Sequence, residues 1–174
     1  MGKSLIEEAV QKKGIDGLLQ GFNNREQTEL LYNWPAWARP EQLPPRGEWL
    51  TWLVRAGRGF GKTRTGAEWV RGCVERGETK RIALVGRTPA DVRDIMIEGE
   101  SGILACSPPW NKPLYEPSKR RIAWANGAFA LTFTSYEPDQ LRGPQFDTIW
   151  WDELAAFKYP RETWNNGQLA LRLG

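Results

Sequence analysis

The stretch W-L-T-W-L-V-R-A-G-R-G-F-G-K-T, residues 49–63, decides how this chain is read. Trp49 to Ala56 is mostly apolar and predicts a buried strand that runs straight into a glycine-rich turn. Gly57, Gly59 and Gly61 can take backbone conformations that other residues resist, which lets successive N–H groups face an anion. Ala56-x-x-x-x-Gly61-Lys62-Thr63 fits the phosphate-binding loop pattern, with Ala where Gly is the usual first residue. In that pattern Lys62 reaches the β and γ phosphates and the Thr63 hydroxyl holds Mg²⁺. Residues 63–76 follow with Ala67, Val70 and Val74 at helical spacing, and a helix N-terminus favours phosphate. Ala56, Gly57, Arg58, Gly59, Phe60, Gly61, Lys62 and Thr63 are therefore expected to hold a nucleoside triphosphate. The competing reading is a glycine-rich turn with no nucleotide.

A loop of this kind needs a second magnesium ligand from the end of a strand. T-I-W-W-D-E, residues 148–153, supplies one in Asp152. The adjacent Glu153 has no such duty and can orient and deprotonate a water for attack on the γ phosphate. A kinase for small molecules must exclude that water, so the pair argues for a hydrolase. Its bland alternative is an Asp-Glu pair capping a following helix. Arg58, inside the loop, and Arg142, in the turn P-D-Q-L-R-G-P, are candidates to neutralise charge on the transferring phosphoryl group. Such an arginine is worth about 10³ or more in rate. For either residue the alternative is a surface salt bridge.

The rest of the chain frames these motifs. Residues 3–13 and about 24–31 read as short helices, and the Pro- and Trp-rich stretch 33–49 cannot be a regular helix. R-I-A-L-V-G (81–86) reads as a buried strand, and Thr88-Pro89 opens a helix to about Ile97. Residues 120–135 alternate around Asn126-Gly127, the mark of a β-hairpin, with Lys119-Arg120-Arg121 as its solvated edge. A strand over 146–153 and a helix over 161–172 complete the series. This order predicts an α/β fold: a mainly parallel central sheet flanked by helices, plus a β-hairpin. The expected division is an N-terminal helical segment, 1–32, and a nucleotide-handling domain, 33–174.

Composition narrows the function classes. The chain has 174 residues, 40% hydrophobic and 26% charged, and a net charge of +3, which permits a nucleic-acid partner without arguing for one. It has no histidine, so Ser-His-Asp or Cys-His catalysis, His-containing zinc sites and histidine pH switches are excluded. Cys73 and Cys106 lack metal-ligand spacing and read as reduced thiols of a cytoplasmic protein. No apolar run reaches the roughly 18 residues of a membrane span, and the N-terminus lacks a signal-peptide core. Ile6 stands where a myristoylation signal needs Ser or Thr. The ten tryptophans mostly lie in apolar patterns and are expected in the core.

Taken together, 33–49, A-G-R-G-F-G-K-T-R-T-G-A-E-W-V-R, S-Y-E-P-D-Q-L-R-G-P-Q-F-D-T-I-W-W-D-E-L-A and Y-P-R-E-T-W resemble the N-terminal ATPase domain of the large terminase subunit. Members of this family are DNA-packaging motors of tailed bacteriophages and gene transfer agents. The resemblance covers about residues 33–174. It implies a P-loop NTPase fold of the ASCE type, with ATP and Mg²⁺ as cofactors. Lys62 and Thr63 match the phosphate and metal pair, Asp152 the Walker B aspartate, Glu153 the catalytic glutamate, and Arg58 the loop arginine. Arg142 matches the arginine proposed to act on a neighbouring subunit, and Arg39 and Gln42 fall where the family binds adenine. The implied partners are double-stranded DNA, held weakly by the isolated domain, the portal protein and the small terminase subunit. The family works as a homo-oligomeric ring at the portal vertex in the host cytoplasm, and a monomer is the alternative for the domain alone. The chain ends at L-A-L-R-L-G, about where the family's coupling strand begins, so neither that strand nor nuclease activity is expected here. Two other readings are a helicase-like remodelling ATPase and a nucleotide-binding assembly module that does not hydrolyse. Leu154-Ala155 after Asp-Glu departs from the helicase pattern.

Overall fold

A computed structural model describes residues 5–173. The chain divides into two compact units, Met1–Thr65 and Gly66–Gly174.

The first unit is helical and irregular. Helix α1 (Leu5–Leu19) is broken at Gly14, whose φ of 72° no helix accepts. Helix α2 (Asn24–Leu31) begins at a reciprocal cap. The Asn23 side chain accepts from the amides of Arg25 and Glu26, and Glu26 accepts from the Asn23 amide. A single turn, α3 (Trp34–Trp37), is tied back by a Trp37 Nε1 bond to the Leu30 carbonyl, 2.7 Å. A 3-10 turn comes next at Pro40–Gln42.

The strand expected over 49–56 does not form. Leu50 and Leu53 are 101% and 79% exposed, and Trp49 and Trp52 stack edge-on at 6.2 Å instead of entering a core. An apolar run becomes a strand only where a neighbour completes its ladder of N–H and C=O groups. Among its described residues the first unit contains no strand to do so.

Helix α4 (Lys62–Glu75) spans the boundary between the units, and the second unit is built on a five-stranded sheet. Its strands are β1 (Arg81–Gly86), β2 (Leu114–Glu116), β3 (Arg121–Ala123), β4 (Phe129–Thr134) and β5 (Thr148–Trp151), in the order β2-β3-β4-β1-β5. β1 pairs in parallel with both β4 and β5, while β2-β3 and β3-β4 are antiparallel. The sheet is thus mixed, and the mainly parallel sheet expected from sequence is corrected. The hairpin lies within the sheet rather than beside it, and β2 extends its antiparallel half.

The period of two along β1 sorts its residues between the faces. Ile82 and Leu84 join one core with Ala67, Val70 and Val74 of α4, and Ala83 and Val85 join the other. The first core is closed by a helical segment, α5 (Pro89–Asp91), continuing as a π turn over Val92–Ile97, and by α6 (Ile103–Cys106). The second is closed by α7 (Pro160–Ala170) and a 3-10 turn at Pro138–Arg142. Thr88 caps α5 by accepting from the Asp91 amide, as Thr88-Pro89 predicts. Gly127, at φ 87°, turns the hairpin, and Asn126 Nδ2 ties that turn to the Val74 carbonyl at 2.9 Å. The Asp147 carboxylate accepts from the Thr79 hydroxyl and from the amides of Lys80 and Arg81, which aligns the start of β1 with β5.

Of the tryptophans, only Trp124 and Trp150 are buried, so most are not the core residues expected from their patterns. Two that matter are consecutive. On β5, Trp150 joins the first core and Trp151 packs on the second. Each meets a helix at a glycine. A Cβ on Gly66 of α4 would fall inside the Trp150 indole, and one on Gly167 of α7 inside that of Trp151. Gly66→Ala and Gly167→Ala are each expected to destabilise the fold by about 1–3 kcal/mol through overpacking, read by urea unfolding. Unchanged midpoints would show that the helices do not approach the strand this closely.

Burial pushes the Cys73 thiol up to about 12. Between its ordinary value of 9.0 and about 12, the unfolded chain has lost a proton that the native state keeps, so this thiol's contribution to stability falls as pH rises across that window. The unfolding midpoint is expected to drop more steeply from pH 9 to 11 in the wild type than in Cys73→Val. Parallel curves would mean that Cys73 is not desolvated.

Candidate functional site

The glycine-rich loop is shaped by two positive-φ residues, Gly59 at 77° and Gly61 at 83°. Gly61 is required twice over, because an added Cβ would also meet Gln42 Nε2 at 3.0 Å. The Pro40–Gln42 turn grips the loop through one carbonyl. Phe60 O accepts from Arg39 Nη2 at 2.5 Å and from Gln42 Nε2 at 3.0 Å. The Arg39 guanidinium also lies over the Phe60 ring, 5.0 Å from its centre. Gln42 is buried, and its Oε1 accepts from the Arg39 amide at 3.1 Å, so each residue fixes the other. Arg39 and Gln42 are thus brought to the loop, where their polar atoms hold the backbone that turns into α4.

Lys62 Nζ folds back over the loop and donates to the carbonyls of Ala56 and Gly57, both at 3.2 Å. Thr65 closes the first helical turn, with its amide and hydroxyl both donating to Gly61 O at 2.9 Å. Thr63 stands in the same turn and is half-buried, while Arg58 is exposed at the tip of the loop.

In the second unit the carboxyl ends of the parallel strands carry the acidic pair. The Asp152 amide donates to Val85 O at 3.0 Å, extending the β1-β5 ladder by one residue. Glu153 then leaves the sheet at φ 55°, ψ 50°, a left-handed conformation that costs a non-glycine residue about 1 kcal/mol. The Glu153 side chain makes no cap hydrogen bond to the adjoining 3-10 turn, Leu154–Ala156. Arg87, at the end of β1, is held above the usual guanidinium range mainly by its hydrogen bond to Asp91, with a smaller pull from the Glu153 carboxylate. Asp91 is held below the usual carboxylate range by the same bond, Nε–Oδ2 2.9 Å. Ser135, fully buried at the end of β4, donates to Arg87 O and accepts from the Lys158 amide, both at 3.1 Å.

Arg142 closes the 3-10 turn Pro138–Arg142. Its Nε donates to Asn166 Oδ1 at 3.1 Å and ion-pairs with Asp139 at the same distance. The bland reading of Arg142, a surface salt bridge, is therefore present but incomplete. Arg87, Ser135 and Asn166 were not legible as site residues. Ser135 and Asn166 bond to partners 23 to 48 positions away in the chain, and no local motif marks them.

The residues present suit a polyphosphate. The loop opens a 14-residue helix at its N-terminus. The Lys62 ammonium rests on carbonyls, bonds that an anion would readily replace. Arg39 Nε, buried and without a partner, is a donor awaiting an acceptor beside the loop. Among the described residues no group of three or more Cys, Asp or Glu gathers to hold a metal by itself.

A family profile described as "Terminase large subunit, T4likevirus-type, N-terminal" matches residues 53–174, well over half of the chain. No curated protein and no solved structure matches significantly.

The strain at Glu153 has a direct test. Glu153→Gly is expected to raise stability by about 0.5–1 kcal/mol, because glycine takes this conformation without a Cβ penalty. Destabilisation by Glu153→Gly in urea unfolding would show that the backbone there is relaxed.

Proposed function

Because the chain belongs to the terminase large-subunit N-terminal family, we propose that it is the ATP-hydrolysing motor domain of a viral DNA-packaging machine. The observation that carries this reading is the loop: Gly59 and Gly61 at positive φ feed Lys62 and Thr63 into a helix N-terminus, with the Lys62 ammonium folded over the loop carbonyls.

In this reading Lys62 Nζ exchanges the Ala56 and Gly57 carbonyls for β and γ phosphate oxygens. The loop amides from Gly57 to Thr63 complete the cradle, and Arg39 and Gln42 keep it in shape while lining the adenine side. Thr63 Oγ1 and Asp152 would hold Mg²⁺, which would supply charge neutralisation. Glu153 takes a proton from the attacking water at its carboxylate, and its left-handed backbone sets that carboxylate's direction. Arg58 and Arg142 neutralise the charge that spreads over the transferring group, Arg142 from a neighbouring subunit of a ring. The proposed partners are double-stranded DNA, the portal protein and the small terminase subunit, at the portal vertex in the host cytoplasm. Among the described residues no helix is long and apolar enough to cross a membrane.

Steady-state ATP hydrolysis against protein concentration tests the proposal. Glu153→Gln is expected to bind ATP and lose about 10²–10⁴ in kcat, as for a general base. Lys62→Ala is expected to lose nucleotide binding, and specific activity is expected to rise with concentration. Bound ATP with no wild-type turnover would replace the hydrolase by a nucleotide-binding assembly module.

A further inference from the structure

Asn166 is a buried amide, 4% exposed, on the face of α7 turned toward the Pro138–Arg142 turn. A buried amide is costly unless its donors and acceptor are used, and this side chain spends them on that one turn. Its Oδ1 accepts from Arg142 Nε at 3.1 Å, and its Nδ2 donates to Pro138 O at 3.0 Å and to Asp139 Oδ1 at 3.4 Å. The orientation is unambiguous: exchanging the amide oxygen and nitrogen would set donor against donor at Arg142 and acceptor against acceptor at Pro138.

We propose that Asn166 is a positioning residue for Arg142, fixing its guanidinium in the orientation from which it acts on a triphosphate. This rests on the hydrolase reading above. Nε is the pivot of a guanidinium, so a bond there sets the plane of the group and leaves the Nη atoms to point outward. Among the described residues neither Nη1 nor Nη2 has a partner, and the Arg142 side chain is 65% exposed. The accompanying ion pair does not explain the geometry. Asp139 is 80% exposed, and pairs in such solvent hold little energy or direction.

The next residue along α7 strengthens the assignment. Gly167 lets the helix close on Trp151, the residue before Asp152. One turn of one helix therefore registers both the arginine and the strand end that bears the acidic pair. Lysine offers no donor at the Nε position, so the arrangement is specific to arginine.

The test is steady-state ATP hydrolysis by the 174-residue chain and its Asn166→Ala, Arg142→Ala, Arg142→Lys and Asn166→Ala/Arg142→Ala variants, with NMR exchange of the Arg142 Nε–H in parallel. Asn166→Ala is expected to lower kcat about 10- to 100-fold with KM for ATP unchanged. It is expected to add nothing once Arg142 is alanine. Arg142→Lys is expected to fall as far as Arg142→Ala. The Nε–H should exchange slowly in the wild type and rapidly in Asn166→Ala. Loss in Arg142→Ala with full activity in Asn166→Ala overturns the proposal alone, as do additive losses in the double variant. If Asn166→Ala does not fold, near-wild-type activity in Arg142→Lys or rapid Nε–H exchange in the wild type overturns it instead. No wild-type turnover overturns the hydrolase reading, and a silent Arg142→Ala the role of Arg142; this proposal falls with either.

Discussion

Two helices close on one strand at two glycines, and the second unit depends on that closure. Trp150 and Trp151 alternate across β5, so the strand presents a large indole to each face of the sheet. A helix can reach such a ring at backbone distance only where it has no side chain, and Gly66 and Gly167 supply those places. The result sets the height of α4 and α7 over the same strand. It also sets the path of the chain beyond that strand, because Asp152 continues the ladder with Val85 and Glu153 departs from it in a strained conformation. Strain of this kind persists where surrounding packing over-determines the backbone, and two indoles locked between helices provide such packing.

The glycine-rich loop is stabilised by a different device. No ladder precedes it; the loop is held from the side by Arg39 and Gln42, which converge on the Phe60 carbonyl. A charged donor and a buried amide on one acceptor make a stronger restraint than either alone. The Lys62 ammonium, for its part, is committed to nothing more demanding than neighbouring carbonyls. Under the proposed function such an arrangement would suit a loop that binds an anion and releases it: the frame is fixed and the Lys62 contacts are exchangeable.

How far the sequence could be read depended on whether each element satisfied itself locally. The Asn126-Gly127 hairpin, the Thr88 cap, the apolar period of α4 and the buried runs 81–86 and 148–151 all carried their own signal, because turn geometry, capping and face selection act over a few residues. The stretch 49–56 carried an equally strong apolar signal and did not become a strand, since a strand requires a partner outside itself. Mixed pairing escaped for the same reason. Nothing in β3 or β4 alone says that the hairpin will stand beside β1 with β4 parallel to it.

The candidate site divides along the same line. The sequence by itself determined which residue types are present: the glycines, Lys62 and Thr63, the Asp152-Glu153 pair and the two arginines, together with the absence of histidine. It also placed them at loop and strand ends, because glycine spacing and apolar runs are local properties. Only the tertiary structure decided that Arg39 and Gln42 hold Phe60, that Glu153 is left-handed, and that a buried amide 24 residues along the chain holds Arg142 by its Nε. Those are relations between segments far apart in sequence. They are set by which helix can approach which strand, and no spacing within a single segment encodes them.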